Sequence, residues 1–227
     1  MVDPVRPEFV PDPSLDRAEM EALQRDIADA AVFEDDFDFD PGRVTVDAAA
    51  GPGTTQTRLG GATDGTGRND DAGGGGEADA DAPLIAGVDQ AFVDDSAVSA
   101  IVLLCDGEVV ERASAVEPVD VPYVPGLLSF REGGAILAAF EDLSREPDLA
   151  VFDGSGRIHF REAGLATHVG VTLDIPAIGV AKNLLCGTPR ESLADRKLPA
   201  GARIPIEADD DVTAPDGTVI GYALQTR

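Results

Sequence analysis

With 227 residues the chain fits one domain, or one domain with tails, and 43 acidic against 17 basic residues give it a formal net charge of −26. A hydrophobic share of 43% is that of a globular domain, which argues against a disordered acidic polymer and for a fold kept soluble in concentrated salt. In such salt counterion release contributes little, so the net charge excludes no nucleic-acid partner; binding would rest on stacking, hydrogen bonds and metal ions.

Residues 14–33 read as an amphipathic helix, capped by Ser14 or Asp16, with Met20, Leu23, Ile27, Ala30 and Ala31 on one face. The following EDDFDFDPGRVTV suits a short strand around Val44 and Val46. From about Ala48 to Ala82 the composition turns to glycine, aspartate and threonine, and nothing there can bury a core. A phosphate-loop reading of those glycines fails, because no strand precedes them and no helix follows. Three regions result: 1–47, a helix and short strand; 48–82, a flexible acidic Gly-rich insertion; and 83–227, the folded core.

The core opens with the strand pattern LIAGVDQAFV, then a hairpin turning at Asp106-Gly107. VPYVPGLLSFRE follows, stiffened by Pro122 and Pro125 and unsuited to a sheet ladder. Ile136, Leu137, Phe140 and Leu143 predict a helix over 132–144, opened by Glu132. DLAVFDGSG reads as a strand entering a glycine turn, AGLATHVGVTLD as a helix, PAIGVAKN as a strand, and DVTAPDGTVIGYALQTR as a terminal hairpin. Together these predict an α/β protein, a mixed sheet with helices on its faces. Cys105 and Cys186, in apolar settings without metal-type spacing, read as buried reduced thiols of a cytoplasmic protein. No apolar run is long enough to span a bilayer, and MVDPVRPEF lacks a signal-peptide core.

Three carboxylates stand out by position. Asp89 lies inside an apolar strand, Glu132 at a helix start and Asp153 at the end of a buried strand. For any single acid among 43, an ion pair or a helix cap is the ordinary role. Three at converging positions favour a Mg²⁺ or Mn²⁺ site built from oxygen ligands.

The blocks GVDQAF, PYVPGLLSFRE, DGSGRIHFREAGLATHVG, IPAIGVAKNLLCG and GYALQTR, in this order from about Leu84 to Arg227, resemble the signature blocks of the endonuclease V family. That resemblance implies a ribonuclease H-like fold and a repair endonuclease that recognises deaminated purines, chiefly deoxyinosine. It also implies hydrolysis of the second phosphodiester bond on the 3′ side of the lesion. Asp89, Glu132 and Asp153 match the family's metal-binding carboxylates, with Mg²⁺ the implied cofactor and Mn²⁺ a substitute. His159 matches a histidine that donates a hydrogen bond or moves a proton near the scissile phosphate, and Lys182 a lysine beside that phosphate. Tyr123 would stack in the gap left by a flipped base; Gly126, Leu128, Gly154 and Gly156 would frame the base pocket. His168, in an apolar helix, reads as a packed core histidine rather than a ligand.

The implied partner is DNA containing deaminated bases, or inosine-containing RNA in the ribonuclease members of the family, met by a monomer without membrane attachment. A lesion-binding module without cleavage is the alternative from another class. Two departures from the family pattern are expected: the acidic insertion, and the absence after GYALQTR of a further glycine-histidine block and closing helix.

Overall fold

The structure is a computed structural model that describes residues 1–35, 37–44, 82–119, 121–193 and 198–226. Val46 of the expected short strand and nearly all of the expected acidic insertion, 48–82, lie outside these residues.

Helix α1 spans Arg17–Ala30, shorter at both ends than the expected 14–33. Asp16 rather than Ser14 caps it, in a reciprocal box: its side chain accepts the Glu19 N–H at 2.9 Å while the Glu19 carboxylate accepts the Asp16 N–H at 2.8 Å. Val44 belongs to no strand. Asp40 caps a 3-10 turn at Pro41–Arg43, and the Val44 N–H closes that turn on Pro41 O.

Five strands form the main sheet: β1 (Leu84–Val93), β2 (Ser96–Cys105), β3 (Glu108–Pro118), β4 (Leu149–Asp153) and β5 (Ala177–Val180), in the order β3-β2-β1-β4-β5. The first three are an antiparallel meander, whereas β4 and β5 run parallel to β1. Asp106 and Gly107 both have positive φ, 50° and 76°, the backbone of the tight turn whose twist matches its flanking strands. Alternate residues of the sheet, Ala86, Val88, Ile101, Leu103, Ala150 and Phe152, share one core with Ile136, Phe140, Leu165 and Val169. Those last four lie on helices α2 (Leu128–Glu141) and α3 (Leu165–Leu173). This is the mixed sheet flanked by helices that the sequence predicts.

Two boundaries differ from expectation. Helix α2 starts at Leu128, so Glu132 lies in its second turn and does not open it. Residues 124–127 form a turn in which Pro125 precedes Gly126 at φ +81° and the Leu127 N–H reaches Val124 O at 3.0 Å, a type II geometry. The Phe130 N–H then bonds Leu127 O at 3.2 Å, so the helix begins at once. The terminal hairpin is also built differently: β8 (Val219–Leu224) pairs with β7 (Arg203–Glu207), which precedes the stretch read as a hairpin. Residues 208–218 form the connection instead, tied across its base by Ala208 N to Thr218 O at 2.8 Å, with Ala208, Val212 and Ala214 buried. With β6 (Thr188–Pro189) these strands make a second sheet over its own core of Cys186, Ile206, Val212 and Ile220, against which Ile158 and Phe160 pack.

Both cysteines are buried free thiols. Among the described residues no helix is long and apolar enough to cross a membrane.

Candidate active site: a carboxylate cleft beside a small pocket

The parallel pairing of β1 and β4 sets Val88 beside Phe152, so the next residues, Asp89 and Asp153, stand on neighbouring strands at one end of the sheet. Strand alternation turns both away from the core face that Val88 and Phe152 fill. The sequence treats these two acids as charges costly to bury in apolar strands; the structure leaves both exposed, with the Asp153 side chain 49% accessible. In β5 Val180 pairs with Asp153, and Lys182 follows two residues on, its Nζ 3.8 Å from Asp153 Oδ2. Asp89, Asp153 and Lys182 line one open cleft of about 480 Å³, floored by Gly87, Val151 and Val180.

Glu132 is the buried member of the group. Burial raises its carboxyl from 4.5 to about 7; the Arg131 charge opposes this, and the Asp153 and Asp89 charges add to the rise. The three acids therefore act on one another electrostatically. Among the described residues, no three or more His, Cys, Asp or Glu side chains are grouped so that they could hold a metal ion as they stand. Bare carboxylates repel one another, and an all-oxygen donor set of this charge suits a hard divalent cation in kind.

The second feature is a pocket of about 90 Å³ lined by Tyr123, Gly126, Leu128, Ser129, Ser155 and His159, together with Gln24 of α1. Tyr123 is 67% exposed at its rim. His159 is buried, which removes its reading as a solvent-facing loop histidine, and it stands in this pocket rather than in the carboxylate cleft. Its Nδ1 accepts the Arg161 N–H at 3.2 Å, so Nε2 carries the proton and donates to Gly126 O at 3.0 Å. Burial first, and the Arg161 charge second, lower it to about 4, so the ring is neutral. Gly154 and Gly156 flank the pocket-lining Ser155 without lining the pocket themselves. Their loop is tied to α3 by Gly164 N to Gly156 O and Ala166 N to Ser155 O, each 3.0 Å. It also packs so closely on β5 that a Cβ at Gly179 would fall 2.6 Å from Gly154 O.

The residues singled out in the sequence thus divide into two neighbouring groups. Asp89, Asp153 and Lys182 line the cleft with Glu132 coupled to them; Tyr123, Gly126, Leu128 and His159 line the pocket. His168 is a packed core histidine as expected: Ser129 Oγ lies 2.8 Å from Nδ1, and Nε2 donates to Phe9 O at 2.7 Å. Gln24 and Arg161 escaped the sequence reasoning. One signal was available, a carboxamide at position 24 on the same helix face as Met20 and Ile27, where an apolar residue is the norm.

The family model for Endonuclease V matches residues 75–227. Endonuclease V of Haloarcula marismortui is 64% identical over 227 residues, the whole of this chain and 78% of that protein. Endonuclease V of Halobacterium salinarum is 58% identical over 224 residues, 98% of this chain and 78% of that protein. The crystal structure of endonuclease V from Streptomyces avermitilis superposes with a TM-score of 0.57 at 31% identity, covering 97% of this chain and 80% of that one. The catalytic domain of human endonuclease V gives 0.61 at 26% identity, covering 91% and 74%.

Proposed function

The chain belongs to the endonuclease V family and is a nuclease, and from that premise we propose that it cleaves DNA at deaminated purines. The bond cut is the second phosphodiester 3′ to deoxyinosine, and Mg²⁺ is the cofactor. The supporting observation is the adjacency of two chemically different sites along two short stretches of chain. On α2, Leu128 and Ser129 line the pocket and Glu132, one helical turn on, joins the carboxylates. After β4, Asp153 lines the cleft and Ser155 lines the pocket. A base held in one is thereby kept within a few nucleotides of a phosphate in the other.

In this mechanism Tyr123, exposed and held between Pro122 and Pro125, fills the gap that the extruded base leaves, with little ordering cost. Gly126 and Leu128 bring backbone close to the base, and Gly154 and Gly156 hold the loop that presents Ser155. Asp89, Glu132 and Asp153 would hold the cation, which when bound supplies a Lewis acid for the phosphate oxygens and lowers the pKa of a water. Lys182 places a compact ammonium beside Asp153 to receive the phosphate's charge. His159, with both ring nitrogens engaged inside the protein and its pKa lowered to about 4, braces the pocket wall rather than moving a proton.

The test is incision of matched oligonucleotides, each carrying one inosine in DNA or RNA, with Mg²⁺ in molar KCl. The expected product is a nick one nucleotide beyond the deoxyinosine, with a 3′-hydroxyl and a 5′-phosphate. Preference for the RNA would replace the repair assignment by an inosine-specific ribonuclease. Lesion binding without any Mg²⁺-dependent nick would leave a recognition module.

A further inference from the structure

We propose that Gln24 is a positioning residue for the pocket: its buried carboxamide holds the Gly126 carbonyl, and through it the turn from Tyr123 to Leu127, in the shape that receives a base. This inference rests on the assignment of the pocket to an extruded base.

Gln24 is 1% exposed on the inward face of α1, where a polar side chain is tolerated only when its hydrogen bonds are made. They are made, and to the pocket. Nε2 donates to Gly126 O at 2.9 Å and to Ala163 O at 3.3 Å, and Oε1 accepts from Arg161 Nε at 2.7 Å. Gly126 O also receives His159 Nε2 at 3.0 Å and Arg161 Nη2 at 3.4 Å. Three donors, one of them charged, therefore converge on a single carbonyl.

The convergence matters because of what Gly126 is. Its φ of +81° suits glycine, and glycine is also the residue freest to leave such a conformation. Tyr123 and Leu128 both line the pocket and flank Gly126 in the chain, so a rotation at Gly126 changes their spacing. Gln24 supplies the shortest of the three bonds and also orients Arg161, which Glu21 on the same helix flanks at 3.8 Å. Helix α1 lies outside the residues 75–227 that the family model matches, so the pocket wall is held by an element beyond that region.

The experiment compares Gln24→Leu and Gln24→Glu with the full chain in molar KCl and EDTA. Leucine removes every bond, whereas glutamate keeps an acceptor for Arg161 and removes the donation to Gly126. One readout is the ratio of affinities for a duplex containing one deoxyinosine and the same duplex with deoxyadenosine. The other is amide hydrogen exchange at Leu127, with Phe140 in α2 as the internal control. Both variants are expected to lose about tenfold in the inosine preference with unchanged affinity for the undamaged duplex, and to exchange at Leu127 about tenfold faster, the loss of one hydrogen bond. Should the leucine variant fail to fold, the glutamate variant decides. Unchanged preference with unchanged Leu127 exchange overturns the proposal, as does lost preference with normal exchange, which would make Gln24 a direct base contact. If the wild type itself shows no inosine preference while Leu127 exchange still accelerates in the variants, the base assignment fails and the hold on the turn stands.

Discussion

Replacing Glu132 by glutamine tests the electrostatic state of the cleft without any assumption about substrate. Burial, with Asp153 and Asp89 adding to it, raises the Glu132 carboxyl from 4.5 to about 7. The folded protein therefore keeps this proton to higher pH than the unfolded chain. Over the window from 4.5 to about 7 the folded state binds more protons, so this group's contribution to stability falls as pH rises and is flat above it. At about 1.4 kcal/mol per tenfold change in proton affinity, the ionised carboxylate costs at most about 3 kcal/mol above that window. Relaxation of the site around the ionised group and molar salt reduce this, leaving about 1–2 kcal/mol. Glutamine keeps the shape and removes the charge. Urea unfolding in molar KCl and EDTA at a series of pH values should show the two proteins alike near pH 4.5 and Glu132→Gln more stable by that margin above pH 7. A stability difference that does not change with pH would refute the raised proton affinity of Glu132. Added Mg²⁺ should restabilise the wild type more than the variant, and the variant should lose incision.

Three further outcomes are expected. Asp89→Asn or Asp153→Asn should abolish Mg²⁺-dependent incision and leave unfolding within about 0.5 kcal/mol of wild type, since both side chains are exposed; retained activity would remove that residue from the cation site. Tyr123→Ala should weaken binding of an inosine duplex by ~1–3 kcal/mol with no change in stability; unchanged affinity measured by fluorescence anisotropy would show that the ring does not stack on a base. Gly126→Ala should destabilise by about 1–2 kcal/mol in thermal or urea unfolding, because φ is +81° and the added Cβ would meet Phe160 Cδ2 at 3.1 Å and Arg161 Nη2 at 3.3 Å. A neutral result would show that the turn relaxes freely.

Patterns of short range were legible in the chain. Short apolar runs marked β1, β2 and β4, Asp106-Gly107 marked its turn, and the 3.6-residue period marked α1 and α2. Local patterns could not settle the ends of elements or the partners of short strands. Glu132 moved from the start of a helix to its second turn because the Pro125-Gly126 turn closes earlier than the apolar face suggests. β8 found its partner in RIPIE, which the sequence left without a strand.

The site divides in the same way. The chemical inventory can be read from the chain alone: three acids, a lysine, a tyrosine between two prolines and the glycines around them, in blocks specific enough to identify the family. Their grouping is a product of the folded chain. Parallel pairing of strands 64 residues apart in sequence sets Asp89 beside Asp153, burial distinguishes Glu132 from both, and His159 turns into the pocket wall rather than the cleft. It also brought Gln24 from α1 across more than 100 residues of chain to the Gly126 carbonyl. Covalent neighbours fix turns and periodicity, whereas desolvation, charge interactions and buried hydrogen bonds depend on which distant segments pack together.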